Sequence, residues 1–224
     1  MTFRATLAWS LLVMACANVA ANRLPAASVL IGVALTCALT GIARAGRLSA
    51  SDLGLARATW PAGLRWGGAC AAVVAVGYGV ALLIPAGRGM VSGTAPGWTH
   101  TLLAVFVVIP LGTVIPEEFA FRGVLWGLLR RRSGRWVATF VSSGLFGVWH
   151  VAPALAGGPT NEAMSGVVGG GPLGVVLRVV ATVVFTGAAG VLLCELRVRS
   201  DSLLAPMAMH WAVNGVGQFF VQIA

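Results

Sequence analysis

The sequence predicts an all-α, polytopic membrane helix bundle of about seven transmembrane helices, and three observations carry that expectation. Of 224 residues, 58% are hydrophobic and only 9% are charged, against about 25% charged in an ordinary soluble domain. The apolar residues fall into runs near the ~20 residues that one helical span takes. The 15 basic residues are all Arg and lie mostly in the short gaps between those runs. The same composition excludes disorder, which needs low hydrophobicity and high charge. It also excludes a disulfide scaffold, because four Cys in a chain this long is sparse. Cys16, Cys37, Cys70 and Cys194 sit in or beside apolar runs and read as small packing residues. A formal charge of +9 can signal nucleic acid, but these Arg residues follow topology, so the expected surroundings are the lipid bilayer and no nucleic acid.

The first run, 5–21, follows Arg4. Ala15-Cys16-Ala17 has the pattern of a signal-peptide cleavage site, but the run continues through Val19 to Ala21, so a retained anchor helix is expected. The second run is 26–43. Segment 48–66 differs in kind: it mixes Leu and Trp with Asp52, Arg57 and Arg65 and reads as an interfacial amphipathic segment. The third run is 67–85. The fourth, 98–129, is too long for a simple span, and Pro110 and Pro116 are expected to kink or break it. The fifth, 136–152, precedes a Gly-rich loop at 153–171. The sixth is 172–193 and the seventh 203–222. No internal repeat is visible.

The distribution of Arg tests this order. Arg4, Arg44, Arg47, Arg57, Arg65, Arg130, Arg131, Arg132, Arg135, Arg197 and Arg199 fall on one side, and only Arg23 and Arg88 on the other. Strict alternation places the N-terminus in the cytoplasm and the C-terminus outside. Trp9, Trp60, Trp66, Trp98, Trp126 and Trp136 lie near predicted boundaries, as an aromatic belt does.

Ionisable residues at membrane depth are costly and mark function. Arg178 and Glu195, toward the ends of the sixth run, are expected to snorkel or pair; His100, at a boundary, carries no expected role. Three groups remain: Glu117-Glu118-Phe119-Ala120-Phe121-Arg122 (EExxxR), Phe146-Gly147-Val148-Trp149-His150 (FxxxH) and His210-Trp211-Ala212-Val213-Asn214 (HxxxN). Helical residues four apart share a face. Arg122 is therefore offset by about 40° from Glu118 but about 140° from Glu117, which predicts an Arg122–Glu118 pair with Glu117 facing elsewhere. Measured from the Arg-rich gaps, Glu118 lies ~18 Å from Arg130, His150 ~22 Å from Arg135 and His210 ~16 Å from Arg199. Similar depth on the fourth, fifth and seventh helices predicts convergence on one intramembrane cavity.

With these motifs in hand, the sequence resembles the CAAX protease and bacteriocin-processing family, the type II CAAX prenyl endopeptidase-like intramembrane proteases. EEFAFRG, FGVWH and SLLAPMAMHWAVN resemble its three motifs in order, over roughly 98–222. The resemblance implies N-terminal membrane helices and the interfacial segment at 1–97 and a protease core at 98–224. It implies Glu117, Glu118, Arg122, His150, His210 and Asn214 as catalytic residues, and a peptide or membrane-anchored protein as substrate. Glu117 suits a general base on water, with His150 holding that water or shuttling the proton. Arg122 suits keeping Glu118 ionised, and His210 and Asn214 suit an oxyanion. The family is described both as glutamate-type and as metal-dependent. No HExxH is present, and the metal-free scheme, with no cofactor, is favoured. If zinc is bound, Glu117, His150 and His210 plus water form an acceptable set. A non-proteolytic membrane binder or bacteriocin-immunity protein is the alternative; an ion transporter built from repeats lacks the expected symmetric halves. The expected location is the cytoplasmic membrane of a bacterium, as a multi-pass protein.

Overall fold

The computed structural model describes residues 1–84, 97–156, 169 and 171–223. Among these residues every regular element is helical. Five stretches are long and apolar enough to cross a membrane: Phe3–Arg23, Pro25–Ala45, Ala50–Leu83, Trp98–Leu155 and Pro172–Ser200.

Helix α1 (Phe3–Arg23) starts at Thr2, whose hydroxyl accepts from the Ala5 N–H at 3.3 Å. Arg23 in its last turn suits the negative end of the helix dipole. Helix α2 (Ser28–Ala45) follows a short turn. Helix α3 (Ala50–Leu53) is nucleated by a capping box between Ser49 and Asp52. Helix α4 (Trp60–Leu83) opens with Pro61 in its first turn, where a fixed φ is already helical. Segment 48–66 is thus not one interfacial element. Its first part forms α3, and its last part belongs to the spanning helix.

The long fourth run departs most from expectation. It consists of α5 (Trp98–Leu103), π1 (Ala104–Val108), π2 (Pro110–Val114), α6 (Ile115–Glu118) and π3 (Phe119–Leu125), leading into α7 (Trp126–Trp149) and α8 (Val151–Leu155). Pro110 and Pro116 do not break it: Ile109 (φ −63, ψ −50) and Val114 (φ −65, ψ −54) keep right-handed helical angles. Proline supplies no N–H and crowds the carbonyl four residues back. Widening the turn to i→i+5 relieves that crowding, and the helix runs on. The break falls instead inside α7 at Gly134 (φ 81, ψ 176), a conformation open to glycine. A one-residue break replaces the expected gap of 130–135.

Helix α9 (Pro172–Ser200) extends seven residues past the predicted 193. After it come α10 (Leu204–Trp211), π4 (Ala212–Val216) and α11 (Gly217–Ile223). Most of the Gly-rich stretch 153–171 and the position of Arg88 lie outside the described residues; 153–155 belong to α8.

Helix α7 packs on α9, α4 on α10, α1 on α2, and α2 on π2. The last contact needs Gly32, since a Cβ there would stand 2.3 Å from the Leu111 carbonyl oxygen. Leu39, Phe121, Leu125 and Leu203 form part of the core, whereas Leu30, Leu83 and Phe185 are at least 75% exposed. Apolar surface on that scale suits a hydrocarbon surrounding rather than water.

The charged connections gather at one end of the bundle. Arg131 Nε donates to Asp52 Oδ1 at 2.9 Å, and Arg199 Nε to Glu195 Oε1 at 2.8 Å, where Arg135 also binds. The N-terminal amine binds the Ala45 carbonyl. Glu195 thus pairs, as expected, and Arg178 Nε donates to the Ala154 carbonyl at 3.0 Å. Arg197 is not a loop charge: it is fully buried, donating to Ser51 O at 3.0 Å and Asp201 Oδ1 at 3.1 Å. Trp126 is not part of an aromatic belt either. It is 1% exposed, donates to Thr139 Oγ1 at 3.2 Å, and has the guanidinium groups of Arg130 and Arg197 within 5.1 and 5.2 Å of its ring.

Candidate active site

The single α-turn of α6 sits between π2 and π3 and carries both carboxylates. Glu117 is 9% exposed, and Glu118 and Arg122 are fully buried. Arg122 Nη1 donates to Glu118 Oε1 at 2.8 Å, the pair expected from the spacing. The Arg122 guanidinium also stands 4.0 Å over the Phe146 ring.

Glu118 Oε1 has a second partner. His210 Nδ1, from α10, lies 2.8 Å away. The oxygen of an ionised carboxylate only accepts, so Nδ1 carries the proton and Nε2 points elsewhere. His150 is fixed in a similar way: its Nδ1 donates to the Phe146 carbonyl at 2.8 Å, which leaves Nε2 with a lone pair in the neutral ring. Phe146 stands between the two imidazoles, with ring centroids 4.7 Å from His150 and 6.1 Å from His210. The first, second and third motifs therefore meet around Phe146 and Glu118.

Glu117 faces elsewhere. Its Oε1 accepts from Trp149 Nε1 at 3.0 Å, while Oε2 is buried with no hydrogen-bond partner among the described residues. The expected single cavity is two. His150, His210 and Asn214 line one, with Phe146, Phe185 and Met209. Glu117 and Trp149 line the other, with Asn18, Asn22 and Ser28 from α1 and its junction with α2. The division follows from the angle that turns Glu117 away from Arg122, together with the Trp149 bond that holds it there.

The model of the type II CAAX prenyl endopeptidase Rce1-like family matches residues 98–216. The chain belongs to this family. No curated protein and no solved structure matches it. As an Rce1-like family member it is a protease of the membrane with a peptide or protein substrate. The matched segment holds all three motifs, yet Asn18 of α1, outside it, donates to the Trp149 carbonyl at 3.0 Å. The N-terminal helices thus help to build the Glu117 cavity.

The donor set is of a kind that suits zinc: two imidazole Nε2 atoms and a carboxylate oxygen. Its arrangement is less suitable. No group of three His, Cys, Asp or Glu side chains among the described residues is placed to hold a metal ion.

Trp149, inside FGVWH, is a site residue that the motif spacing does not mark. The signal was its indole, which needs a hydrogen-bond partner when buried. Trp149→Phe preserves the edge contact to Phe121 at 5.5 Å and deletes the N–H to Glu117. A hydrogen bond to a charged group contributes about 1.5–3 kcal/mol. The variant is expected to melt earlier in detergent and to cleave peptide more slowly, because Glu117 loses its anchor. Unchanged melting and turnover would show that the bond does not hold the carboxylate.

Proposed function

We propose that the chain is an intramembrane endopeptidase that hydrolyses peptide bonds of membrane-associated peptides or proteins with a water activated by Glu117. The observation that supports this most is the buried chain Arg122–Glu118–His210, which ties the first motif to the third, beside a Glu117 oxygen that has no partner. The Glu117 carboxylate takes a proton as the water oxygen attacks the carbonyl carbon. The Nε2 lone pair of His150 steadies that water. The oxyanion is held by Asn214 and by His210 Nε2. For His210 to donate there it must carry both ring protons, and the Glu118 carboxylate against Nδ1 compensates that charge. Collapse of the intermediate breaks the C–N bond, and the proton on Glu117 passes to the leaving amine. Arg122 holds Glu118 in place and does not touch the substrate.

The test is cleavage of a quenched-fluorescent peptide pool by purified protein in nanodiscs. Wild type should cleave and Glu117→Gln should not, while remaining folded. Equal cleavage by both would remove Glu117 as the base, and no cleavage by the wild type would favour a peptide-binding or immunity role.

The same reading counts seven spans, taking Trp98–Leu155 as two on either side of Gly134 and the helices after Leu204 as the last. It divides the chain into N-terminal helices at 1–97 and a protease core at 98–224, in a bacterial cytoplasmic membrane with the N-terminus inside. A reporter that is active only in the cytoplasm, fused to the C-terminus, should therefore be silent. A strong signal would mean an even number of spans.

A further inference from the structure

We propose that Thr113 is a positioning residue for the hydrolytic water, holding it between the Glu117 carboxylate and the wall formed by His150, His210 and Asn214. The inference rests on the proteolytic reading above and adds a residue to it.

Two cavities flank π2, and they differ in chemistry. The one that contains Glu117, of about 160 Å³, has a mostly apolar lining into which Asn18, Asn22 and Ser28 bring polar groups, the partners that a held water needs. The one that contains His150, His210 and Asn214 is otherwise largely apolar, with Phe185, Leu193 and Met209, as suits a peptide in a membrane. The base thus lies on the water side and the oxyanion donors on the peptide side. Thr113 lines both cavities. It shares the first of them with Glu117.

Thr36, Thr40 and Thr186 turn their hydroxyls back to the carbonyl four residues earlier, at 2.9, 2.7 and 2.7 Å. Thr113 makes no such bond, and no hydrogen bond of its side chain occurs among the described residues. It lies in π2, where a wide turn replaces the α-turn in which that back-bond forms. A hydroxyl both donates and accepts. In the cavity that Glu117 also lines, Thr113 Oγ1 donates a hydrogen bond to one lone pair of the water. The water's two O–H bonds then point at Glu117 and at His150 Nε2, and its other lone pair at the peptide carbonyl. No bond forms or breaks at Thr113.

The experiment uses the full chain in nanodiscs and the best-cleaved single peptide from the fluorescent pool. Thr113→Val keeps the shape and removes the hydroxyl. It should lower kcat at least about tenfold, the loss of roughly one hydrogen bond in the transition state, with KM and melting temperature close to wild type. Thr113→Ser should recover most of the loss. If Thr113→Val melts early, Thr113→Ala against Thr113→Ser makes the same comparison without the branched side chain. Wild-type kcat in the hydroxyl-free variants, while Glu117→Gln is inactive, overturns this inference alone. So does a loss confined to KM, which would make Thr113 a peptide contact. Full activity of Glu117→Gln, or none in wild type, overturns the proteolytic reading and this inference with it.

Discussion

Replacing Arg122 by Ala should lower the melting temperature of the detergent-purified protein by roughly 10 °C, taking about 3–5 kcal/mol for a broken buried pair and about 2–4 °C per kcal/mol in a chain of this size. Glu118→Gln should act in the same direction, and Glu117→Gln should have far less effect. Arg122 and Glu118 are both fully buried and joined at 2.8 Å. Removing the guanidinium leaves a carboxylate at zero exposure with His210 as its remaining partner. Removing the carboxylate charge leaves a guanidinium whose Nε and Nη2 already have no hydrogen-bond partner, supported then by the Phe146 ring. Glu117 forms no ion pair among the described residues. Its contact is the Trp149 indole, which can donate to the carbonyl oxygen of Gln as it does to Glu. All three variants are expected to be inactive, so the separation must be read in melting curves. Equal melting temperatures would mean that the Arg122–Glu118 pair does not carry the packing of α6 against α7 and α10.

This pairing was legible because it depends on spacing alone. Four residues along an α-turn bring Glu118 and Arg122 together and turn Glu117 aside, and the pair forms although the turn between them widens to π. The membrane-helix class was legible for a similar reason, since composition and run length report directly on the solvent. What the sequence withheld depends on contacts between distant segments. Arg197 looks like one more loop Arg by hydropathy. It is buried because carbonyls of α3, about 145 residues earlier in the chain, happen to accept from it. Trp126 sits at a predicted boundary, yet the two guanidinium groups and Thr139 draw it inward. Pro110 and Pro116 signal a distortion without saying which kind, because a kink and a π-turn relieve the same crowding. The split of the site into two cavities was hidden for the same reason. Depth along a helix follows from residue counts, but the side of a helix that faces a cavity depends on neighbours such as Asn18, which no motif contains.

Asn214→Ala should reduce kcat by about 10²–10³, and a strong chelator should leave most wild-type activity intact. The first figure is the typical effect of removing one oxyanion donor. Asn214 is the cleaner of the two donors to remove, because His210 also binds Glu118 through Nδ1. His210→Ala therefore takes a hydrogen bond from a buried carboxylate as well as a donor from the oxyanion, and it should be both slower than Asn214→Ala and less stable. In a metal site the pattern differs. His210→Ala would empty the site and abolish activity, Asn214→Ala would remain partial, and stripped protein would regain activity on adding zinc, since a ligand-held ion can be removed and restored. The Nδ1 bonds of the two histidines fit either scheme, because they leave both Nε2 atoms to the site: on His210 the nitrogen is protonated in the first scheme and a lone pair in the second. The arrangement of the ligands favours the first, since Glu117 shares its cavity with Trp149 and Asn18 while the histidines line the other. Less than one zinc per chain by elemental analysis, with activity retained after chelation, is the expected result. One zinc per chain, with activity lost on stripping and regained with zinc, would instead make Glu117, His150 and His210 its ligands, and would require Glu117 to swing from its bond with Trp149 toward the histidines.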